Sequence, residues 1–274
     1  MLTGTGICGK GHSAADGPGG DGAAEIVAYG ADYKGTGDGH TGGLAKLEKA
    51  AELAGCGGSC GPRVRHHFFV TGTDTGVGKT TLAALLCAAL DAVYWKPIQT
   101  GTLEGTDRAT VMRLAGVGTD RTLDEVYKFV PPVSPDLAAR WAGVEIDLAK
   151  INLPNHLLND WLVVEGAGGV LVPINQKQFI LDMMVKLKLP VILAARSTLG
   201  TINHTLLTLA ALHAAELPVH GVVLIGDQNR ENRETVERFG HVRVIGEIPR
   251  LPNLHRTALM QVFMNHFDRS AFSQ

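Results

Sequence analysis

The stretch His67-Phe-Phe-Val-Thr-Gly-Thr-Asp-Thr-Gly-Val-Gly-Lys-Thr-Thr81 constrains this chain more than any other. An apolar run meets a loop punctuated by Gly72, Gly76 and Gly78, and Gly78-Lys79-Thr80 then opens a helix. A strand that enters a helix through glycines turns successive backbone N–H groups toward one point, and the helix N-terminus adds partial positive charge there. The group such a loop cradles is phosphate. Lys79 would reach the terminal phosphates and the Thr80 hydroxyl would complete a Mg²⁺ shell. Thr73 and Thr75 offer hydroxyls toward a γ-phosphate. Five residues rather than four separate Gly72 from Gly78, but an ordinary glycine turn needs neither the lysine nor the hydroxyl.

The residues downstream repeat one texture. Apolar runs at His67–Thr71, Ala92–Trp95, Trp161–Val164, Val191–Ala195, Val219–Leu224 and Arg243–Ile245 read as strands. Between them, Thr80–Leu90, Thr106–Leu114, Pro135–Trp141, Gln178–Leu187, Ile202–Ala215 and Glu231–Phe239 read as helices. Alternation at this spacing predicts an α/β fold with one doubly wound, mostly parallel sheet, and the phosphate loop after its first strand makes that sheet of the P-loop NTPase type. Within Ile202–Ala215 the residues Leu206, Leu209, Ala210 and His213 fall at 3/4 spacing, but Leu207 and Leu212 lie off that stripe, so spacing assigns no inward face to this helix.

Two strand ends and one helix start carry charge, and open α/β sheets bind ligands in the crevice beyond the carboxyl ends of their strands. Lys96 ends one strand, and Pro97 behind it makes it the last free residue before a rigid turn. Asp107 follows Thr106, a natural N-cap, and sits in the first helical turn. Glu165 closes a buried strand and is followed by Gly166, Gly168 and Gly169, as suits an acid holding Mg²⁺ while backbone stays close to ligand.

The first 64 residues are different in kind. They hold 18 of the 34 glycines, only eight Leu, Ile or Val, and no Phe, too few apolar groups to build a core. They fit no secretory or transit signal, and Cys56 and Cys60 have no second pair at zinc spacing. Residues 1–64 therefore read as a glycine-rich leader without a fold, of the kind a mis-set translation start would add, and 65–274 as the functional domain. The one helical hint in the leader is Leu44–Ala54. Lys plus Arg (25) nearly balances Asp plus Glu (27), which leaves no electrostatic footprint for nucleic acid or an anionic membrane. No apolar run is long enough for a membrane-spanning helix. Four cysteines are too few for a disulfide scaffold and suit a reducing, cytoplasmic setting.

The loop Gly72–Thr80, the Lys96-Pro-Ile-Gln-Thr-Gly101 turn, Val164-Glu-Gly-Ala-Gly-Gly169, Leu199-Gly-Thr-Ile-Asn-His-Thr-Leu-Leu-Thr208 and Ile245-Gly-Glu-Ile-Pro249 together resemble the dethiobiotin synthetase family, in collinear order over about residues 67–250. That resemblance implies closure of a ureido ring on 7,8-diaminopelargonate with CO₂ and ATP, with Mg²⁺ as cofactor. It implies that Lys79 and Lys96 supply positive charge, Lys96 bridging carbamate and γ-phosphate, and that Thr75 and Thr100 donate hydrogen bonds at the two ends of the transfer. It implies nucleotide contacts from Gly76, Val77, Gly78, Lys79, Thr80, Thr81, Glu165 and Gly168, and metal ligation by Thr80, Asp107 and Glu165. Ser134 and Pro135 fall where the family shapes the diamine pocket. A homodimer is implied in which Leu199–Asn203 of one chain serves the neighbouring site; His204 reads as structural.

Two positions depart from the family pattern. Gly76 stands where some members carry glutamate, and Ile225 where the family often places an asparagine that reads adenine. Isoleucine cannot make that contact, so base selectivity is expected to be loose. The alternatives are a cobyrinate-type amidoligase, for whose glutaminase domain there is no room, and a partition-type switch ATPase, whose second loop lysine is here Asp74.

Overall fold

The computed structural model describes residues 67–154, 157 and 160–273. The leader at 1–64, its helical stretch and the Cys56/Cys60 pair lie outside them. In chain order the elements are β1 (His67–Gly72), α1 (Lys79–Leu90), β2 (Val93–Trp95), β3 (Ile98–Gln99), α2 (Asp107–Ala115), β4 (Tyr127–Lys128), α3 (Pro135–Trp141), β5 (Leu162–Gly169), α4 (Ile180–Leu187), β6 (Val191–Arg196), α5 (Thr201–Ala214), β7 (Val219–Ile225), α6 (Arg230–Gly240), β8 (Val244–Ile248) and α7 (Arg256–His266).

Successive side chains of a strand point to opposite faces, and here both faces are buried. Phe68 and Val70 of β1 join one apolar layer with Leu82, Leu85 and Leu86 of α1, Val111 of α2 and Leu259 of α7. Phe69 joins the other, with Ala138 of α3, Met183 and Met184 of α4 and Leu212 of α5. Val163 of β5 faces the first layer and Leu162 and Val164 the second. Strands covered on both sides read as continuous apolar runs and pair in parallel. The six-stranded sheet has the order β2-β5-β1-β6-β7-β8, all parallel. This is the doubly wound sheet the alternation implied. β1 lies inside it, so its carboxyl end and the loop after it open at the middle of the sheet edge. Among the described residues no helix is long and apolar enough to cross a membrane.

Four features go beyond the sequence reading or differ from it. The inward face of α5, which spacing left unassigned, is Thr201, Thr205, Thr208, Leu209 and Leu212, and Ala210 and His213 are exposed. The threonines can be buried because their hydroxyls bond locally: Thr208 Oγ1 donates to His204 O at 2.8 Å, and Thr201 and Thr205 Oγ1 lie 3.4 Å apart. β5 runs on through its glycines to Gly169 rather than stopping at Val164. A separate two-stranded parallel ladder joins β3 to β4, and α7 packs onto α1 through Leu259, Val262 and Phe263.

Candidate active site

The loop after β1 is shaped by backbone geometry. Gly78 has φ +104°, and a Cβ there would come within 2.9 Å of Ile225 Cδ1, so only glycine fits. It caps α1 with no side-chain partner, and the first turn of the helix contains no acid. The first N–H groups of α1 are thus left for an anion. Three contacts hold the crown of the loop. Arg196 Nη2 donates to Thr75 O at 3.0 Å, Arg196 Nη1 pairs with Asp74 Oδ2 at 3.5 Å, and Lys79 Nζ donates to Asp74 O at 2.9 Å. Burial brings the Lys79 ammonium down to about 8, against the pull of Glu165. Arg196 carried no sequence signal; its role follows from β6 ending beside β1.

Across the sheet edge, four side chains meet, from α1, α2, β5 and the residue just after β2. Thr80 Oγ1, at the start of α1, lies 2.9 Å from Glu165 Oε1 and 3.1 Å from Asp107 Oδ1. Lys96 Nζ lies 2.5 Å from Asp107 Oδ2 and 3.1 Å from Glu165 Oε1. Lys96 is 5 % exposed and Glu165 1 %, so both charges are tolerated only as partners. Burial alone would lower the Lys96 ammonium, but Glu165 and Asp107 together outweigh it and hold it above its usual range. Burial likewise works against the Asp107 carboxylate, and Lys96, with hydrogen bonds involving Thr80 and Gln99, more than offsets it, so Asp107 titrates below its usual range.

Local structure explains each placement. Thr106 Oγ1 accepts from Ala109 N at 3.1 Å, which caps α2, and Gln99 Oε1 accepts from Asp107 N at 3.0 Å. Glu165 pairs with Val70 of β1, after which the register shifts until Gly72 faces Gly169. The shift lets Gly168, at φ +70°, bring its backbone beside the Thr75 hydroxyl.

These groups border a cavity of about 740 Å³, within the range of small-molecule sites. Thr75, Gly76, Gly78, Lys79, Thr80, Thr81, Lys96, Thr100, Asp107, Ser134, Pro135, Glu165 and Gly168 all line it. Val77 does not: its side chain is buried beneath the loop, leaving its N–H as the available group. Thr73, offered as a second γ-phosphate hydroxyl, is also absent from the lining. Glu104, Val133 and Val172 line the wall without having been singled out. Among the described residues there is no cluster of three His, Cys, Asp or Glu. Two carboxylates and a hydroxyl are an all-oxygen set that suits Mg²⁺, which takes its remaining ligands from phosphate and water. Lys79 and Lys96 on the lining, with the oxygen ligands, suit a bound phosphate chain and its metal.

Sheet order, loop and lining define a nucleotide-binding domain of the P-loop type. Residues 66–258 match the AAA_26 family, an AAA domain. The ATP-dependent dethiobiotin synthetase of Agrobacterium fabrum (strain C58) is 49% identical over 205 residues, 75% of this chain and 96% of that protein. That of Rhodopseudomonas palustris (strain TIE-1) is 45% identical over 203 residues, 74% and 95%. That of Novosphingobium aromaticivorans is 48% identical over 200 residues, 73% and 96%. The chain belongs to the dethiobiotin synthetase family. Among solved structures, a ParA family ATPase from Chlorobium tepidum TLS covers 74% of this chain and 93% of its own at 13% identity and TM-score 0.43, which bears on neither substrate nor mechanism.

Proposed function

We propose that residues 65–274 form a cytoplasmic, ATP-dependent dethiobiotin synthetase acting on 7,8-diaminopelargonate and CO₂. One amine of the substrate attacks CO₂ and, losing a proton, becomes a carbamate. A carbamate oxygen attacks the γ-phosphorus and ADP leaves. The second amine then attacks the activated carbonyl, closes the ring and expels phosphate. Bringing carbamate and triphosphate together sets anion against anion, and the supporting observation is the buried Lys96 beside Thr80, Asp107 and Glu165 at the mouth of the phosphate loop.

In this reading Lys96 bridges carbamate and γ-phosphate, and Lys79 follows the charge onto the phosphates. Thr75 and Thr100 donate to the phosphate and carbamate ends, and the backbone from Gly76 to Thr81 cradles the triphosphate with Gly168 alongside. Thr80, Asp107 and Glu165 would hold Mg²⁺, which when bound neutralises charge on the phosphate oxygens. Ser134 and Pro135 border the diamine. Leu199 stands fully exposed (103 %) and Leu207 largely so. Exposed apolar side chains just before α5 and midway along it support a homodimer in which Leu199–Asn203 receives the partner site's substrate carboxylate. The leader at 1–64 takes no part, so a proteolytic fragment beginning near Arg63 should keep full turnover.

The deciding test is mass detection of dethiobiotin from the diamine, bicarbonate and ATP. ADP release that does not depend on the diamine would instead favour a switch ATPase.

A further inference from the structure

Glu165 has two oxygens with different occupations. Oε1 faces Thr80 and Lys96, while Oε2 accepts a hydrogen bond of 2.9 Å from the hydroxyl of Tyr94. We propose that Tyr94 is a positioning residue that locks the Glu165 carboxylate so that Oε1 is presented to the metal. The proposal rests on the reading above and names a residue that no site motif contains.

Sheet register makes the reach possible. Tyr94 of β2 stands directly opposite Val163 of β5. Glu165 is two residues further along the same face, a diagonal that a long aromatic side chain spans. The ring of Tyr94 is fully buried (0 % exposed) within the layer beneath α1. Phe69 fills the opposite layer at the same burial with no hydroxyl, so space-filling alone does not require one. A hydroxyl at that depth needs a partner, and the partner it has is the catalytic carboxylate. Beyond Glu165 the β1–β5 register breaks. The backbone that carries the carboxylate is thus regular on one side only, and the Tyr94 bond comes from the regular side. Outer partners of this kind fix the orientation of metal ligands.

Tyr94→Phe keeps the ring and removes only the hydroxyl. The measurement is Mn²⁺ binding in the presence of a non-hydrolysable ATP analogue, followed by electron paramagnetic resonance. Mn²⁺ affinity should weaken about 10- to 100-fold, the range for lost outer partners. Affinity for the analogue in EDTA should stay within about twofold, which also reports an intact loop. In a Glu165→Gln background, adding Tyr94→Phe should change Mn²⁺ affinity no further. Unchanged Mn²⁺ affinity in the single variant, or an equal further loss in the Glu165→Gln background, overturns the proposal. The titration uses metal and nucleotide alone. Failure to detect dethiobiotin would therefore sink the proposed function and leave this inference standing or falling on its own result.

Discussion

The two edges of the same sheet are built from opposite materials. At their carboxyl ends β1, β2 and β5 deliver the phosphate loop, Lys96 and Glu165, with two charges under 6 % exposed. At their amino ends β1 and β7 deliver Phe68 and His220, which pack with Phe272 in an aromatic cluster: the Phe68 and His220 rings lie 4.6 Å apart, and Phe272 lies 5.9 and 5.7 Å from them. Charge buried at one end is useful only to a ligand, whereas apolar area buried at the other is useful only to the fold. The expectation is a division of labour along one sheet, with rate lost at one end and stability at the other.

The largest effect should come from Lys96→Ala. Removing the cation proposed to bridge carbamate and γ-phosphate should cut turnover at least 10²- to 10³-fold, in the range of lost transition-state donors. Equilibrium dialysis should still find ATP bound, because the loop is untouched. Turnover near the parent level would remove Lys96 from the chemistry. At the other end, Phe68→Ala should cost about 3–5 kcal/mol of unfolding free energy in urea titrations, with kcat of the remaining folded enzyme unchanged. A lowered kcat at full stability would break the comparison.

His220 gives the amino end a pH signature. Its Nε2 donates to Ala271 O at 2.9 Å, fixing the C-terminal segment, and Arg243, itself paired with Asp268, lies close enough to repel a second cation. Burial, with Arg243 adding to it, holds the imidazole below its ordinary 6.5. The unfolded chain therefore binds the proton more readily, so this contribution is complete above about pH 6.5 and is lost as pH falls below it. His220→Phe should flatten the slope of unfolding free energy against pH in that window. An identical slope in the two proteins would mean the ring does not titrate on unfolding.

The same contrast explains what could be read from the sequence. Lys79, Thr80, Lys96, Asp107 and Glu165 were legible because charge or hydroxyl at a strand end or helix start has few other uses, and the structure gathers all five around one cavity. Tyr94 was not, since an aromatic in a strand reads as core and only sheet register reveals the diagonal to Glu165. Arg196 escaped for a related reason: its partners lie on the loop after β1, 121 residues away in sequence. The inward face of α5 stays unassigned by spacing because buried threonines look polar to any periodicity argument. α7 did carry a signal, Leu259, Val262 and Phe263 at 3/4 spacing, but its cap is His255 rather than a usual Ser, Thr, Asp or Asn. β3 and β4, at two residues each, are too short for any period to register.

Ile225 is where the division of labour is least complete, and it should give the smallest effect. It stands at a carboxyl end, on β7, yet it is apolar, and its side chain packs where a Cβ on Gly78 would go. It thus supports the loop from the side and offers no hydrogen bond to a base. The nearby ion pair of Asp227 with Arg250, 3.2 Å apart, is largely exposed and pairs of that kind hold little energy. Initial rates with ATP, GTP and CTP should therefore fall within about tenfold of one another, since no buried polar group is left unpaired by the wrong base. Ile225→Asn should widen the gap in favour of ATP, at some cost to loop packing. A strong ATP preference in the unaltered protein would show that backbone groups at this end read the base. The carboxyl edge would then be polar along its whole length, and the comparison would hold more strictly than Ile225 suggests.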